Sequence, residues 1–165
     1  MSDRKMDAST TRDQHFIGRL GRDIDLIGTY LEELGHNWAK TLGISDPQWR
    51  IILVLADGHN GEGVPVKVVS RILNVEPSFI TTQSKLLEKQ GLIHRKASER
   101  DGRIVNMSLT EATSVHLASL AAQRGALSEY ILADFEPREL EDLSSKLSSL
   151  KTKLQKACLK LAANL

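Results

Sequence analysis

The residues able to do chemistry in this 165-residue chain cluster in one stretch, and they are cations and hydrogen-bonding groups rather than a catalytic set. Residues 66–103 carry eight Lys and Arg against four Asp and Glu, a net of +4, while residues 1–65 carry −3 and residues 104–165 are neutral. The whole chain is only +1, so the positive field is local, the footprint that attracts a polyanion. Within it, PSFITTQSKLLEKQ reads as a helix with Ile80, Leu86 and Leu87 facing a core and Phe79 undecided. Ser78, Thr81, Thr82, Gln83 and Lys85 then form a polar surface of donors and acceptors. Gln83 has the paired groups that match an adenine edge, and the threonines suit bases, thymine methyls or phosphate. The competing reading is the solvated face of an ordinary surface helix. Arg100 and Arg103 follow on a projecting loop, where an arginine can enter a narrow minor groove. Asp101 would be repelled by DNA and is expected to shape that loop through a local arginine. Lys67, Arg71, Lys89, Arg95 and Lys96 are candidate phosphate neighbours, although Arg71 suits a structural salt bridge equally well.

An enzyme is not expected. His15, His36, His59, His94 and His116 are dispersed without HExxH spacing, and no GxSxG elbow, P-loop or dinucleotide fingerprint occurs. The glycines at 58, 61 and 63 lack the lysine of a phosphate cradle. No metal site or cofactor is expected. The single cysteine, Cys158, excludes an intrachain disulfide and a zinc site built from several cysteines, and it reads as an inert thiol. Hydrophobic residues make up 41% and charged residues 26%, enough for a core and unlike a disordered chain. No apolar run is long enough to span a bilayer, and the polar start MSDRKMDASTTRDQ points to a cytoplasmic protein without a membrane partner.

These residues need positioning elements, and the apolar periodicity supplies them. Ile17, Leu20, Ile24, Ile27, Leu31, Leu34 and Trp38 alternate at spacings of three and four, one stripe of a long helix. Leu140, Leu143, Leu147, Leu150, Leu154, Ala157 and Leu161 repeat the pattern after Pro137. Such seams want partner helices, either in the same chain or across a two-fold axis; a mixed role in a homodimer is the expectation. Ile17, Leu20, Ile24, Leu147, Leu150, Leu154 and Leu161 are the candidate dimerisation residues. Between the arms, Asp46 as N-cap and Pro47 open the helix QWRIILVLAD, which ends in the glycine-rich segment 58–63. Val66, Val69, Ile72 and Leu73 space a short helix over 66–73; a three-residue turn then leads to Pro77 and a helix to about Gln90, closed by Gly91. Leu92–Ala97 and Ile104–Leu109 read as two strands around the Asp101-Gly102 turn, and Thr110 caps a helix of about twenty residues. The fold class expected is mainly α with a small β wing, a winged helix-turn-helix domain plus a helical dimerisation region. Its parts are a disordered tail at 1–12, an N-terminal dimerisation helix and loop at 13–45, the winged lobe at 46–110, and a connector with a C-terminal arm at 111–165.

The block LLEKQGLIHRKASERDGRIVNMSLTE at 86–111 resembles the signature of the MarR family of bacterial winged-helix regulators. The likeness lies in Leu87-Glu88 ahead of Gly91-Leu92-Ile93, in Arg95, in Asp101 and Arg103 at the wing tip, and in Leu109-Thr110. DPQWRIILVL at 46–55 and Glu76-Pro77-Ser78 are similar to the family's second helix and its approach to the recognition helix, and the likeness extends over about residues 15–160. The resemblance implies a homodimer that binds pseudo-palindromic double-stranded DNA, with residues 77–90 in the major groove and Arg103 in the minor groove. It also implies transcriptional repression, relieved when a small aromatic or phenolic acid binds near the dimerisation helices. Tyr30, His36, Trp49 and Arg50 are the candidate effector residues, with Arg50 to pair a carboxylate and Trp49 to stack on a ring; Trp38 and Trp49 serve equally as core anchors, and Arg50 as a phosphate or intersubunit contact. A peroxide-sensing branch uses a cysteine in the N-terminal helical region, and none is present there. A dimeric winged-helix module that binds proteins and has no specific operator is the alternative function.

Overall fold

The computed structural model describes residues 3–58, 63–99 and 101–163. The chain divides into two units, residues 1–116 and 117–165. The first begins with α1 (Asp3–Thr41). Residues 3–12, expected as a tail, carry helical backbone, since no Gly or Pro interrupts that stretch. α2 (Asp46–Asp57) follows a turn at Gly43, whose φ is +65°. Its N-cap is Ser45 and not Asp46, which is the first helical residue; Gln48 Oε1 accepts from the Ser45 N–H at 3.1 Å.

A short strand β1 (Val64–Pro65) leads into α3 (Val66–Leu73) and α4 (Pro77–Lys89). Strands β2 (Ile93–Ala97) and β3 (Val105–Leu109) then form the wing, antiparallel, with Arg95 opposite Met107. The expected two-stranded wing is in fact a three-stranded sheet ordered β1-β3-β2, with Val64 opposite Met107. Its extra strand is only two residues long, too short for alternation to reveal. It depends on Gly63, whose φ is +78° and where a Cβ would lie 2.7 Å from the Met107 carbonyl oxygen. The rest of the glycine-rich connection, residues 59–62, is outside the described residues.

The core draws side chains from the elements of the lobe, among them Ile51 and Ile52 of α2, Val69 of α3, Ile80 and Leu87 of α4, Ile93 of β2 and Met107 of β3, all buried. Burying each of these contributes roughly 1.5–3 kcal/mol, which makes the lobe a stiff platform. One of the sequence assignments to this core fails. Leu86 is exposed, and Ser84 takes the place next to Ile80 and Leu87, donating from Oγ to the Thr81 carbonyl at 3.2 Å.

α5 (Glu111–Leu132) starts in the first unit. Thr110 caps it as expected, with its Oγ1 accepting from the Thr113 N–H at 3.3 Å. The same hydroxyl donates toward the Gly91 carbonyl at 3.0 Å, and buried Thr113 donates to the Leu92 carbonyl at 2.8 Å. These bonds fasten the end of α4 to the start of α5. In the second unit α6 (Pro137–Ala163) has no buried residue. Leu143, Leu147, Leu154 and Leu161 are exposed along it, while Leu150 is half-buried. In the first unit, Ile17, Leu20 and Ile24 of α1 are likewise exposed. Both helices thus carry apolar stripes that want cover.

Candidate nucleic-acid interface

The α3–turn–α4 motif is held by its own backbone. Asn74 takes the left-handed conformation, φ 54°, so the chain can reverse after α3. The Val75 N–H then bonds the Ser70 carbonyl at 3.1 Å, and Ser70 Oγ returns a bond to the Val75 carbonyl at 2.8 Å. Pro77, which has no N–H to waste, opens α4 at its first position. At the far end Gly91, φ 74°, closes α4 with bonds from the Gly91 N–H to the Glu88 carbonyl and from the Leu92 N–H to the Leu87 carbonyl.

With Ile80, Ser84 and Leu87 turned inward, α4 presents Ser78, Thr82 and Lys85 outward; Thr81 and Gln83 are half-buried on the flanks. Thr81 Oγ1 donates to the Pro77 carbonyl at 2.9 Å and Thr82 Oγ1 to the Ser78 carbonyl at 3.1 Å. Each hydroxyl proton is thereby committed to the helix, leaving lone pairs to accept and a methyl to make contact. Phe79 is 39% exposed and Leu86 46% exposed, so both belong to the outer surface and Leu86 is not a core residue.

The wing is shaped by Asp101, though by a backbone bond: its Oδ1 accepts from the Arg103 N–H at 3.0 Å. The Ser98 N–H reaches the Ile104 carbonyl at 2.8 Å across the loop. Arg103 is exposed at this tip; Arg100 is outside the described residues. Lys67 and Arg71 on α3, Lys85 and Lys89 on α4, and Arg103 are exposed, and no ion pair among the described residues engages them. The salt bridge considered for Arg71 is therefore not formed there. Two other cations are occupied. Arg95 is largely buried with Nη1 3.7 Å from Glu88, whose other oxygen accepts from the Arg95 N–H at 3.2 Å, and Lys96 pairs with Glu99 at 3.1 Å. Arg95 thus braces β2 against α4 rather than meeting phosphate. The i,i+7 spacing of Glu88 and Arg95 spans a helix end and a strand, and no periodicity rule pairs residues across such a boundary.

Three of the four candidate effector residues already have partners within the first unit. Trp49 is buried in the core and lies against Gly35 of α1. His36 Nδ1 is 2.8 Å from Asp46 Oδ1, Arg50 is paired with Glu32, and Tyr30 is exposed. Among the described residues no group of three or more His, Cys, Asp or Glu could hold a metal ion, and no helix is long and apolar enough to cross a membrane.

Residues 42–104 match the model of the MarR family. An organic hydroperoxide resistance transcriptional regulator of Bacillus subtilis is 41% identical over 70 residues, which are 42% of this chain and 46% of that protein. The chain thus spans about half the length of that relative. Among solved structures, S. aureus MepR in its DNA-binding conformation superposes with a TM-score of 0.72 at 16% identity, covering 82% of this chain and 98% of that one. A MarR-family regulator from Listeria monocytogenes complexed with 26mer DNA gives a TM-score of 0.69 at 20% identity, over 82% and 89% of the two chains.

Proposed function

We propose that this chain, whose residues 42–104 match the MarR family model, is a MarR-type regulator: a sequence-specific double-stranded DNA-binding transcriptional regulator acting as a homodimer. The observation that carries the proposal is the lobe's outer surface. There the exposed face of α4, exposed Arg103 on the wing and the exposed cations Lys67, Arg71, Lys85 and Lys89, without an ion pair among the described residues, are carried by elements that share one core. The cations neutralise phosphates and set register; the α4 face reads base edges in the major groove; the arginine enters the minor groove beside it. The Listeria monocytogenes neighbour complexed with DNA, and MepR in its DNA-binding conformation, support the same use of this fold. Two copies related by a two-fold axis would read half-sites roughly 10 base pairs apart.

Repression follows where such an operator overlaps a promoter. A small aromatic or phenolic acid would relieve it by competing with carboxylates already in place, since His36 and Arg50 hold Asp46 and Glu32. The hydroperoxide named for the B. subtilis relative is not part of this proposal, because the one cysteine, Cys158, is on α6 and exposed.

Selection of bound duplexes from a random pool by the purified chain tests the reading. A palindromic consensus is expected, with affinity falling steeply as salt rises and exceeding that for unrelated duplex by roughly 10³-fold or more. A pool that never enriches would overturn it and favour the protein-interaction module. Arg103→Ala should weaken the selected duplex about tenfold or more, the usual loss for a charged hydrogen bond, with the solution mass unchanged. Wild-type affinity in that variant would remove Arg103 from the interface.

A further inference from the structure

The outer surface of α4 is less polar than its role in reading base edges would require. Phe79 is 39% exposed, at the third position of the helix. Leu86 follows seven residues later, 46% exposed, and Thr82 lies between them. At about 100° per residue these three fall within an arc of roughly 60°, displaced from the Ile80–Ser84–Leu87 stripe that packs inward. Thr82 adds to the apolar character, because its hydroxyl proton is spent on the Ser78 carbonyl. What this stripe offers a partner is an aromatic ring, a methyl group and an isobutyl group.

The surroundings identify the partner. Lys85 and Lys89 share the helix with the stripe, and Lys67 and Arg71 are exposed on α3, the preceding helix. The only carboxylate within α4, Glu88, is occupied by Arg95. An apolar strip bordered by cations is complementary to a surface that is apolar in places and lined by anions. The major groove has that character at thymine, whose C5-methyl projects into it between two phosphate rows.

We propose that Phe79 and the Thr82 methyl, flanked by Leu86, form a thymine-reading stripe that recognises C5-methyl groups by apolar contact, so that part of the operator's specificity is carried by methyls and not by hydrogen bonds. The proposal rests on the DNA-binding reading above and adds the chemical group that is read. Such contacts discriminate thymine from cytosine by the presence of the methyl. They also make the chain sensitive to a change that leaves every Watson–Crick and phosphate group intact.

The test uses the full chain and the duplex it selects, with each thymine of the half-site replaced in turn by deoxyuridine, which removes only the methyl. One or two positions should weaken wild-type binding about fourfold each, the worth of one apolar carbon buried. The loss should vanish in Phe79→Ala or Thr82→Ser, which bind the normal and deoxyuridine duplexes equally. Thr82→Ser keeps the hydroxyl that bonds Ser78 and removes only the methyl, so it separates methyl contact from helix integrity; Thr82→Val, which keeps the methyl, should restore the discrimination. Intact binding that is indifferent to deoxyuridine at every position overturns the stripe alone. Deoxyuridine losses of equal size in wild type, Phe79→Ala and Thr82→Ser also overturn it, by assigning the methyl to other residues. A chain that binds no duplex at all overturns the DNA reading and the stripe with it.

Discussion

Gly63→Ala lowers the melting temperature of the purified chain by roughly 6–12 °C. The estimate combines two costs at one position. An L-residue at φ +78° pays about 1–2 kcal/mol for left-handed backbone, and the new Cβ would lie 2.7 Å from the Met107 carbonyl oxygen, which must move. Met107 has little freedom to yield: it is wholly buried at the centre of β3, opposite Val64 on one side and Arg95 on the other. Forced repacking of that kind costs about 1–3 kcal/mol, for a total near 3 kcal/mol at about 2–4 °C per kcal/mol for a chain of this size. Thermal unfolding followed by circular dichroism measures it. An unchanged melting temperature would show that β1 does not hold the wing.

Leu154→Asp should convert the proposed dimer to monomer at micromolar concentration. The α6 stripe of Leu143, Leu147, Leu154 and Leu161 is exposed in the single chain, and symmetry would place two of any substituted carboxylate in the covered seam. An uncompensated charge in such a place costs about 3–5 kcal/mol, and 4 kcal/mol is near a thousandfold in association. Leu147→Asp should behave alike, while Leu154→Met should leave assembly intact. Sedimentation equilibrium decides the point. A dimer of undiminished stability in both aspartate variants would place the seam elsewhere, and the α6 leucines would need another partner.

The helices, the wing strands and the tight turn before Pro77 were all readable from apolar spacing, proline and glycine, because each is a local consequence of a few consecutive residues. α4 shows where that method stops. Periodicity identified Ile80 and Leu87 as buried, but it read Leu86 as a core neighbour by its type. A leucine beside a core position is not thereby in the core. The structure gives the inward place to Ser84, small enough to pack and able to satisfy its hydroxyl on the helix backbone. Arg95 was misjudged for the opposite reason: a cation in a positive stretch reads as a phosphate contact until a distant carboxylate, Glu88, is seen to hold it. β1 was missed because two residues cannot display a period, though Gly63 was already visible as part of a glycine-rich segment. Of the proposed interface, the α4 polar residues and Arg103 were named from sequence, and the structure leaves Ser78, Thr82, Lys85 and Arg103 exposed; Phe79 and Leu86, which the proposal adds, were not named, since outward-facing apolar groups follow no sequence rule.

The junction of α1 with α2 joins two kinds of contact. Gly35 and Ala39, one helical turn apart on α1, give a nearly side-chain-free seat, with Gly35 against Trp49 and Ala39 fully buried. A smooth seat sets distance but supplies no notch to set angle. The angle falls to the surface pairs His36–Asp46 and Glu32–Arg50, each half-exposed and together worth about 2 kcal/mol at most. The expected consequence is mechanical: compliance should be greater at this junction than within the packed lobe beyond it. Ionic strength alone then acts on the stance of α1 without softening the platform that would meet DNA.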